Sequence, residues 1–332
     1  MRRVLFAGLA ALSLFVSFPG PGTAGANAYE TAFVDVAVAT LWVRPGVSRP
    51  VDEPSVTNPV DVRSWLARMG TDKRLWLVGK LETQALYGQR VTVLARRGAW
   101  ARVAVAGQPT PRSSLGYPGW LPDAQLTYGR PAQSETYAVI TRRTAWLYAT
   151  GPARERDVEL AFNTRLAVLN DDGGEWVTVS TTTGERRLVR RSNVELYRRG
   201  ESVSPPTGAD LAATARMFVG APYLWAGTSA FAFDCSGFTS TVYKAHGVVI
   251  PRDAGAQANR GRPVARRRLQ RGDLLFYARS GRVHHVALYV GGGRMIEAWR
   301  TGTRVRIVPV RTRGYWGARR YVRAAAASRG LG

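Results

Sequence analysis

One cysteine, three histidines and three lysines are all that this 332-residue chain holds of those residue types. The single cysteine, Cys235, excludes an intramolecular disulfide and any zinc site built on several thiolates. His246, His284 and His285 leave too few ligands for a metal centre, so neither a metal nor another cofactor is expected. Lysine is confined to Lys73, Lys80 and Lys244, so arginine supplies almost all of the 47 basic residues; set against 23 acidic ones they give a net charge of +24. The longest apolar run, Val4 to Phe18, is shorter than the roughly 20 residues that span a bilayer, and no transmembrane segment is expected.

That apolar run follows Arg2 and Arg3 and ends at Pro-Gly-Pro-Gly. Ala26-Asn27-Ala28 then supplies the small-residue spacing of a signal-peptidase site. Residues 1–28 therefore read as a cleaved export signal, which puts the mature chain outside the cytoplasm, in a periplasm or cell wall. There the positive charge finds anionic wall polymers and membrane surfaces, and weak electrostatic contact with them is expected. Arg266-Arg267-Arg268 is a short basic patch without interleaved stacking aromatics, so no specific nucleic-acid partner is expected.

Between residues 29 and 200 helical periodicity is nearly absent. Short β-branched and aromatic runs alternate with Gly, Pro, Asn and Asp, the pattern of all-β structure. A weak repeat runs through it: Arg90-Val91-Thr92-Val93-Leu94 followed by Trp100 resembles Arg165-Leu166-Ala167-Val168-Leu169 followed by Trp176, and Thr40-Leu41-Trp42 parallels Thr144-Ala145-Trp146. Two small barrels of one type, residues 29–128 and 132–200, are expected. An insertion from Val47 to Arg74 in the first has room for a helix over Val60 to Met69. Residues 201–207, with Pro205-Pro206, read as a linker. From 208 to 325 the pattern is α+β. Leu211, Ala215, Phe218 and Val219 recur at helical spacing, a second helix starts at Cys235 and ends before Gly247, and strands follow over Asp273–Tyr277, His284–Val290, Met295–Trp299 and Arg304–Val310.

Asp234-Cys235-Ser236-Gly237 places the thiol in the first turn of a helix, where unpaired N–H groups and the helix dipole favour a thiolate. Cysteine catalysis also needs an imidazole to take the thiol proton and return it to the leaving amine. His284 and His285 alternate on one strand, so only one of them faces the thiol. Glu297, across the Gly291-Gly292-Gly293 turn, is the candidate to orient that ring. Its charge is expected to raise the imidazole pKa and favour a thiolate–imidazolium pair. His246 is expected at the surface, its charge favoured by a helix C-terminus.

Pro222-Tyr223-Leu224-Trp225-Ala226-Gly227, Phe233-Asp234-Cys235-Ser236-Gly237-Phe238, Pro251-Arg252-Asp253, Gly272-Asp273-Leu274-Leu275-Phe276 and His285-Val286-Ala287-Leu288-Tyr289-Val290-Gly291 resemble, in order and spacing, the motifs of the NlpC/p60 cysteine peptidases. The resemblance implies a papain-like domain that cleaves bacterial cell-wall peptides, commonly between D-glutamate and a diamino acid. It selects His285 over His284 as the catalytic base, matches Tyr223 to a tyrosine near the oxyanion hole, and brings Asp234 and Ser236 in as substrate contacts. Glu297 departs from the pattern, since a histidine is usual there.

Leu81-Glu82-Thr83-Gln84-Ala85-Leu86-Tyr87-Gly88, Gln108-Pro109-Thr110-Pro111 and Leu115-Gly116-Tyr117-Pro118-Gly119-Trp120 resemble the first SH3-like domain of a narrower group, the γ-D-glutamyl-L-diamino acid peptidases of the dipeptidyl-peptidase VI type. This implies that Glu82 and Tyr117, with Asp253, bind the free amine of an N-terminal L-alanine on a peptidoglycan stem peptide. Ala254 stands where that group tends to have serine, which would remove one contact to the amine. Two other functions stay open on sequence alone: a catalytically silent wall-binding protein built on SH3-like domains, and an acyltransferase on the same papain-like core.

Overall fold

A computed structural model describes residues 29–201 and 204–322. The expected export signal, residues 1–28, and the end of the chain from 323 lie outside the described residues, as do 202 and 203 of the expected linker.

The first β unit consists of β1 (Glu30–Val34), β2 (Val38–Trp42), β3 (Leu81–Leu86), β4 (Arg90–Arg97), β5 (Trp100–Val105), β6 (Tyr117–Pro122) and β7 (Leu126–Thr127). They hydrogen-bond in the order β3-β2-β6-β5-β4-β1-β7. The second unit has β8 (Thr136–Ile140), β9 (Thr144–Tyr148), β10 (Arg156–Ala161), β11 (Arg165–Asn170), β12 (Trp176–Ser180), β13 (Arg186–Arg190) and β14 (Val194–Arg198). Their order, β10-β9-β13-β12-β11-β8-β14, repeats the first strand for strand, so the weak sequence repeat marks equivalent hairpins, β4–β5 and β11–β12. Alternation supplies the cores: Val91 and Val93 of β4 point inward with Val103 and Leu121, and Leu166 of β11 points inward with Val177, Val179 and Val189. Among the described residues no ladder joins the two edge strands of either sheet, so each is an open sheet folded over its own core rather than a closed barrel.

The insertion in the first unit is more helical than expected. After a 3₁₀ turn at Pro50–Ser55 come α1 (Val62–Ala67), inside the anticipated span, and α2 (Thr71–Leu75). Trp65, Leu66, Met69 and Leu77 of this region are buried in one apolar cluster with Phe218, Phe233 and Phe238 of the C-terminal unit. The insertion thus acts as a packing wedge between the two units.

In the C-terminal unit, α3 (Gly208–Arg216) begins with a capping box between Thr207 and Asp210. The short pair β15 (Thr228–Ser229) and β16 (Ala232–Phe233) precedes α4 (Cys235–Lys244), and α5 (Ala254–Ala258) follows it. The sheet then takes the order β17-β22-β18-β19-β20-β21, built from β17 (Arg262–Val264), β18 (Leu274–Arg279), β19 (Arg282–Gly291), β20 (Arg294–Glu297), β21 (Arg306–Pro309) and β22 (Tyr315–Arg320). All three helices lie against β19. Two side chains depart from expectation. Val219 falls beyond α3 and is 40% exposed, because the helix ends at Arg216. His246 is half-buried and hydrogen-bonded to Thr214 Oγ1 at 2.8 Å, and burial lowers its pKa, so it is not a charged surface residue.

Polar contacts seat the first unit on the C-terminal one. Buried Gln84 accepts from the Thr228 backbone N–H at 3.1 Å and from Ser229 Oγ at 3.0 Å, and Trp225 Nε1 donates to the Leu81 carbonyl at 3.1 Å. Because these bonds satisfy groups that would otherwise be orphaned in a buried interface, they specify the docking of the two units as well as hold it.

Candidate active site

Cys235 is the first residue of α4 and is 8% exposed. Asp234 caps the helix, accepting from the Gly237 N–H at 2.7 Å. Gly237 permits close packing of this turn: a Cβ there would lie 2.0 Å from the Gly227 carbonyl oxygen. Buried Arg252 brackets the cap from the other side, donating to Asp234 Oδ2 at 2.7 Å and to Ser236 Oγ at 3.0 Å. Its Nε donates to Thr83 Oγ1 of β3 at 3.0 Å, which ties the thiol's helix to the first unit. Asp234 and Ser236 line the same cavity as the thiol, but their side-chain bonds go to each other, to the helix turn and to Arg252. Their place in the structure is that of a frame around the thiol. Sequence reasoning quoted Arg252 within its motif without giving it a role.

His285, on β19, is 3% exposed, and its Nε2 lies 2.7 Å from Glu297 Oε2. An ionised carboxylate can only accept, so Nε2 carries the proton and Nδ1 is left free to accept one. Glu297, on β20, is fully buried and is no rim carboxylate. Arg311 donates to both of its oxygens at 2.8 Å, and Arg306 donates to Oε1 at 3.1 Å. The bonds from His285 and Arg311 outweigh burial and hold Glu297 at about 2. Both arginines lie over the Trp299 ring, at 4.2 Å for Arg306 and 5.4 Å for Arg311. No signal in the sequence pointed to this clamp.

The electrostatic expectation is corrected. Burial and the Asp234 charge push the Cys235 thiol up to about 12, against the opposing N–H groups of Val286 and Ser236 and the charge of Arg252. Burial likewise lowers His285 below its ordinary 6.5, and it outweighs the raising effect of Glu297, whose charge Arg311 partly cancels. Desolvation thus works against two separated charges on this pair.

One cavity of ≈ 720 Å³ is lined by Cys235, His285, Tyr223, Glu82, Tyr117 and Asp253. Tyr223 is 5% exposed, and burial with the nearby Asp234 charge raises its pKa, so its hydroxyl stays a neutral donor. The Tyr117 hydroxyl, held near 12 mainly by burial, donates to Asp253 Oδ1 at 3.2 Å. Asp253 precedes α5 without capping it, which leaves its carboxylate free to face Tyr117. Arg112 donates to Glu82 Oε1 at 2.9 Å and to the Tyr117 hydroxyl at 3.3 Å. Glu82, Tyr117 and Asp253 are thus brought together as expected, with Arg112 an unanticipated fourth member. His284 is exposed and lines the same cavity.

A helix that begins on a cysteine, packed on an antiparallel strand whose histidine is backed by a carboxylate, defines a papain-like thiol peptidase. Residues 220–325 match the NlpC/P60 family and residues 140–197 match the YKFC SH3b2 domain. A γ-D-glutamyl-L-lysine dipeptidyl-peptidase of Bacillus cereus is 45% identical over 97% of this chain and all of its own length. One from Bacillus subtilis is 40% identical over 82% of this chain and 91% of its own. The crystal structure of an NlpC/P60 family protein from Bacillus cereus superposes with a TM-score of 0.84 at 45% identity, covering 89% of this chain and all of that one. This chain belongs to the NlpC/P60 family.

Proposed function

We propose that the protein is an extracytoplasmic cysteine peptidase that hydrolyses the bond between γ-D-glutamate and the following diamino acid in peptidoglycan stem peptides, and requires a free N-terminal L-alanine. The observation that carries this reading is the single cavity in which Cys235, His285 and Tyr223 of one unit meet Glu82 and Tyr117 of another, with Asp253 between them. A substrate ammonium entering this end needs carboxylates and a hydroxyl acceptor, and Glu82, Asp253 and Tyr117 supply them. The γ-D-glutamyl carbonyl then reaches the thiol. His285 Nδ1 takes the Cys235 proton as Sγ attacks, and the Tyr223 hydroxyl donates to the developing oxyanion. Glu297 holds the imidazolium in register while it returns the proton to the leaving amine. Water then attacks the thioester with His285 again as base, and the L-Ala-D-Glu dipeptide is released. The relatives' names, which specify a γ-D-glutamyl-L-lysine bond, support the same bond here.

Mass spectrometry of the products from a stem tripeptide, with and without an acetylated N-terminus, tests the reading. The free peptide should yield L-Ala-D-Glu and the acetylated one should resist. Cys235→Ala should abolish release, whereas His284→Ala should not. Equal cleavage of the two peptides, or loss of turbidity on intact sacculi, would overturn amine capture.

A further inference from the structure

A second cavity, of ≈ 480 Å³, opens where all three units meet. The β3–β4 turn of the first unit gives one wall, Asn163, Arg165 and the end of β14 the second, and the last turn of α4 the third. The walls are pinned to one another. The Tyr87 hydroxyl accepts from the Thr182 N–H at 2.9 Å, which joins the first unit to the second. Asn163, held at a positive φ of 69°, donates from Nδ2 to the Thr241 carbonyl at 3.0 Å, which joins the second unit to α4. The cleft is therefore formed before any ligand arrives.

Its lining is cationic. Arg165, Arg198 and Lys244 line it, and among the described residues none of the three is in an ion pair, unlike Arg187 or Arg252, which hold carboxylates. Lys244, the only lysine of the C-terminal unit, opens to solvent along this cleft. The surrounding walls desolvate its ammonium and lower its pKa, so an anion brought against it relieves a standing cost. The single carboxylate of the lining is Glu201, which accepts from the Arg198 backbone N–H at 2.8 Å. Past Tyr197 and Glu201 the cleft continues into a hollow of ≈ 760 Å³ that Arg199 also lines, so the cationic surface is a groove and not a point.

We infer that this groove binds a chain of polyol phosphate, with phosphates on Arg165, Arg198 and Lys244 and a hydroxyl donating to Glu201. The cations alone would suit any anion. Glu201 decides the class, because an ionised carboxylate only accepts and repels a bare anion, whereas a hydroxyl carried on the same ligand donates to it. A recess between three units admits a strand but not a bilayer surface, which assigns the groove to a free chain over a lipid headgroup. The groove shares no lining residue with the Cys235 cavity, so the inference stands apart from the peptidase reading.

The test measures binding of glycerol phosphate oligomers, inorganic phosphate and phosphatidylglycerol vesicles at constant ionic strength. The oligomer should bind about tenfold or more tighter than inorganic phosphate. Lys244→Gln/Arg165→Gln/Arg198→Gln should weaken oligomer binding by about a hundredfold or more, whereas Arg266→Gln/Arg267→Gln/Arg268→Gln, which removes the same charge elsewhere, should leave it within about twofold. Equal losses in the two variants, or phosphate binding as tightly as the oligomer, would overturn the site. Vesicle binding lost in the first variant alone would overturn the free chain as its occupant. Acylation of the unaltered protein by an N-hydroxysuccinimide ester gives a readout that needs no variant. Saturating oligomer should slow modification of Lys244 by about fivefold or more and leave Lys73 and Lys80 unchanged; equal slowing of all three, or of none, would count against the groove.

Discussion

Replacing Glu297 by glutamine removes a charge from a fully buried position and leaves its volume nearly unchanged. The carboxylate stands at about 2 instead of its ordinary 4.5. That difference corresponds to about 3 kcal/mol of folding stability carried by the ionised form. A carboxylate depressed on folding contributes this stability fully above pH 4.5 and loses it as the pH falls through about 2. Glu297→Gln should therefore lose about 3 kcal/mol near neutrality by urea unfolding, with the gap to the parent protein closing in acid. Arg306 and Arg311 are partly exposed and can turn to water, which limits the penalty of leaving them unpaired. Catalysis reports independently. Without the anion, nothing offsets the burial that already lowers His285, so the acid limb of the kcat profile should move to lower pH while the plateau falls by about a hundredfold or more. A glutamine variant with the parent's stability, plateau and acid limb would refute the assignment of Glu297 as the group that holds the catalytic imidazole.

Two further outcomes follow from the same geometry. Alkylation of Cys235 by iodoacetamide in the substrate-free protein should climb steadily from pH 7 to about pH 10, because the thiol is held up near 12; a rate already level at pH 6 would mean a resting ion pair. Gly237→Ala should destabilise the protein by about 1–3 kcal/mol, since its Cβ would fall 2.0 Å from the Gly227 carbonyl oxygen, and an unchanged melting temperature would count against that packing.

Much of the site was legible before folding was considered. The only thiol stands in a Asp-Cys-Ser-Gly run, and the capping residue, the helix start and the glycine are all local features, which the structure reproduces at Asp234, Cys235 and Gly237. The paired histidines and Glu297 lie on neighbouring strands joined by a glycine turn, so their proximity follows from hairpin pairing. The two-fold repeat was visible as short matching runs, and its full extent emerges as an identical order of seven strands. The Arg252 bridge to Thr83 and the contact of Arg112 with Glu82 left no such trace, because each joins segments that meet only when one unit docks on another or a loop folds over its sheet.

The sequence by itself determined where the thiol stands, its helix, the order of the units and the residue types that share its cavity, since caps, periodicity and motif spacing act over a few residues. Only the tertiary structure decided how those groups are charged. Tyr117 meets Asp253 across 136 positions, and Arg311 reaches Glu297 from 14 positions downstream. A pKa responds to burial and to every charge within a few ångströms whatever the chain separation. The helix terminus that favoured a thiolate on paper is therefore outweighed in the folded protein by desolvation and by the charge of its own capping aspartate.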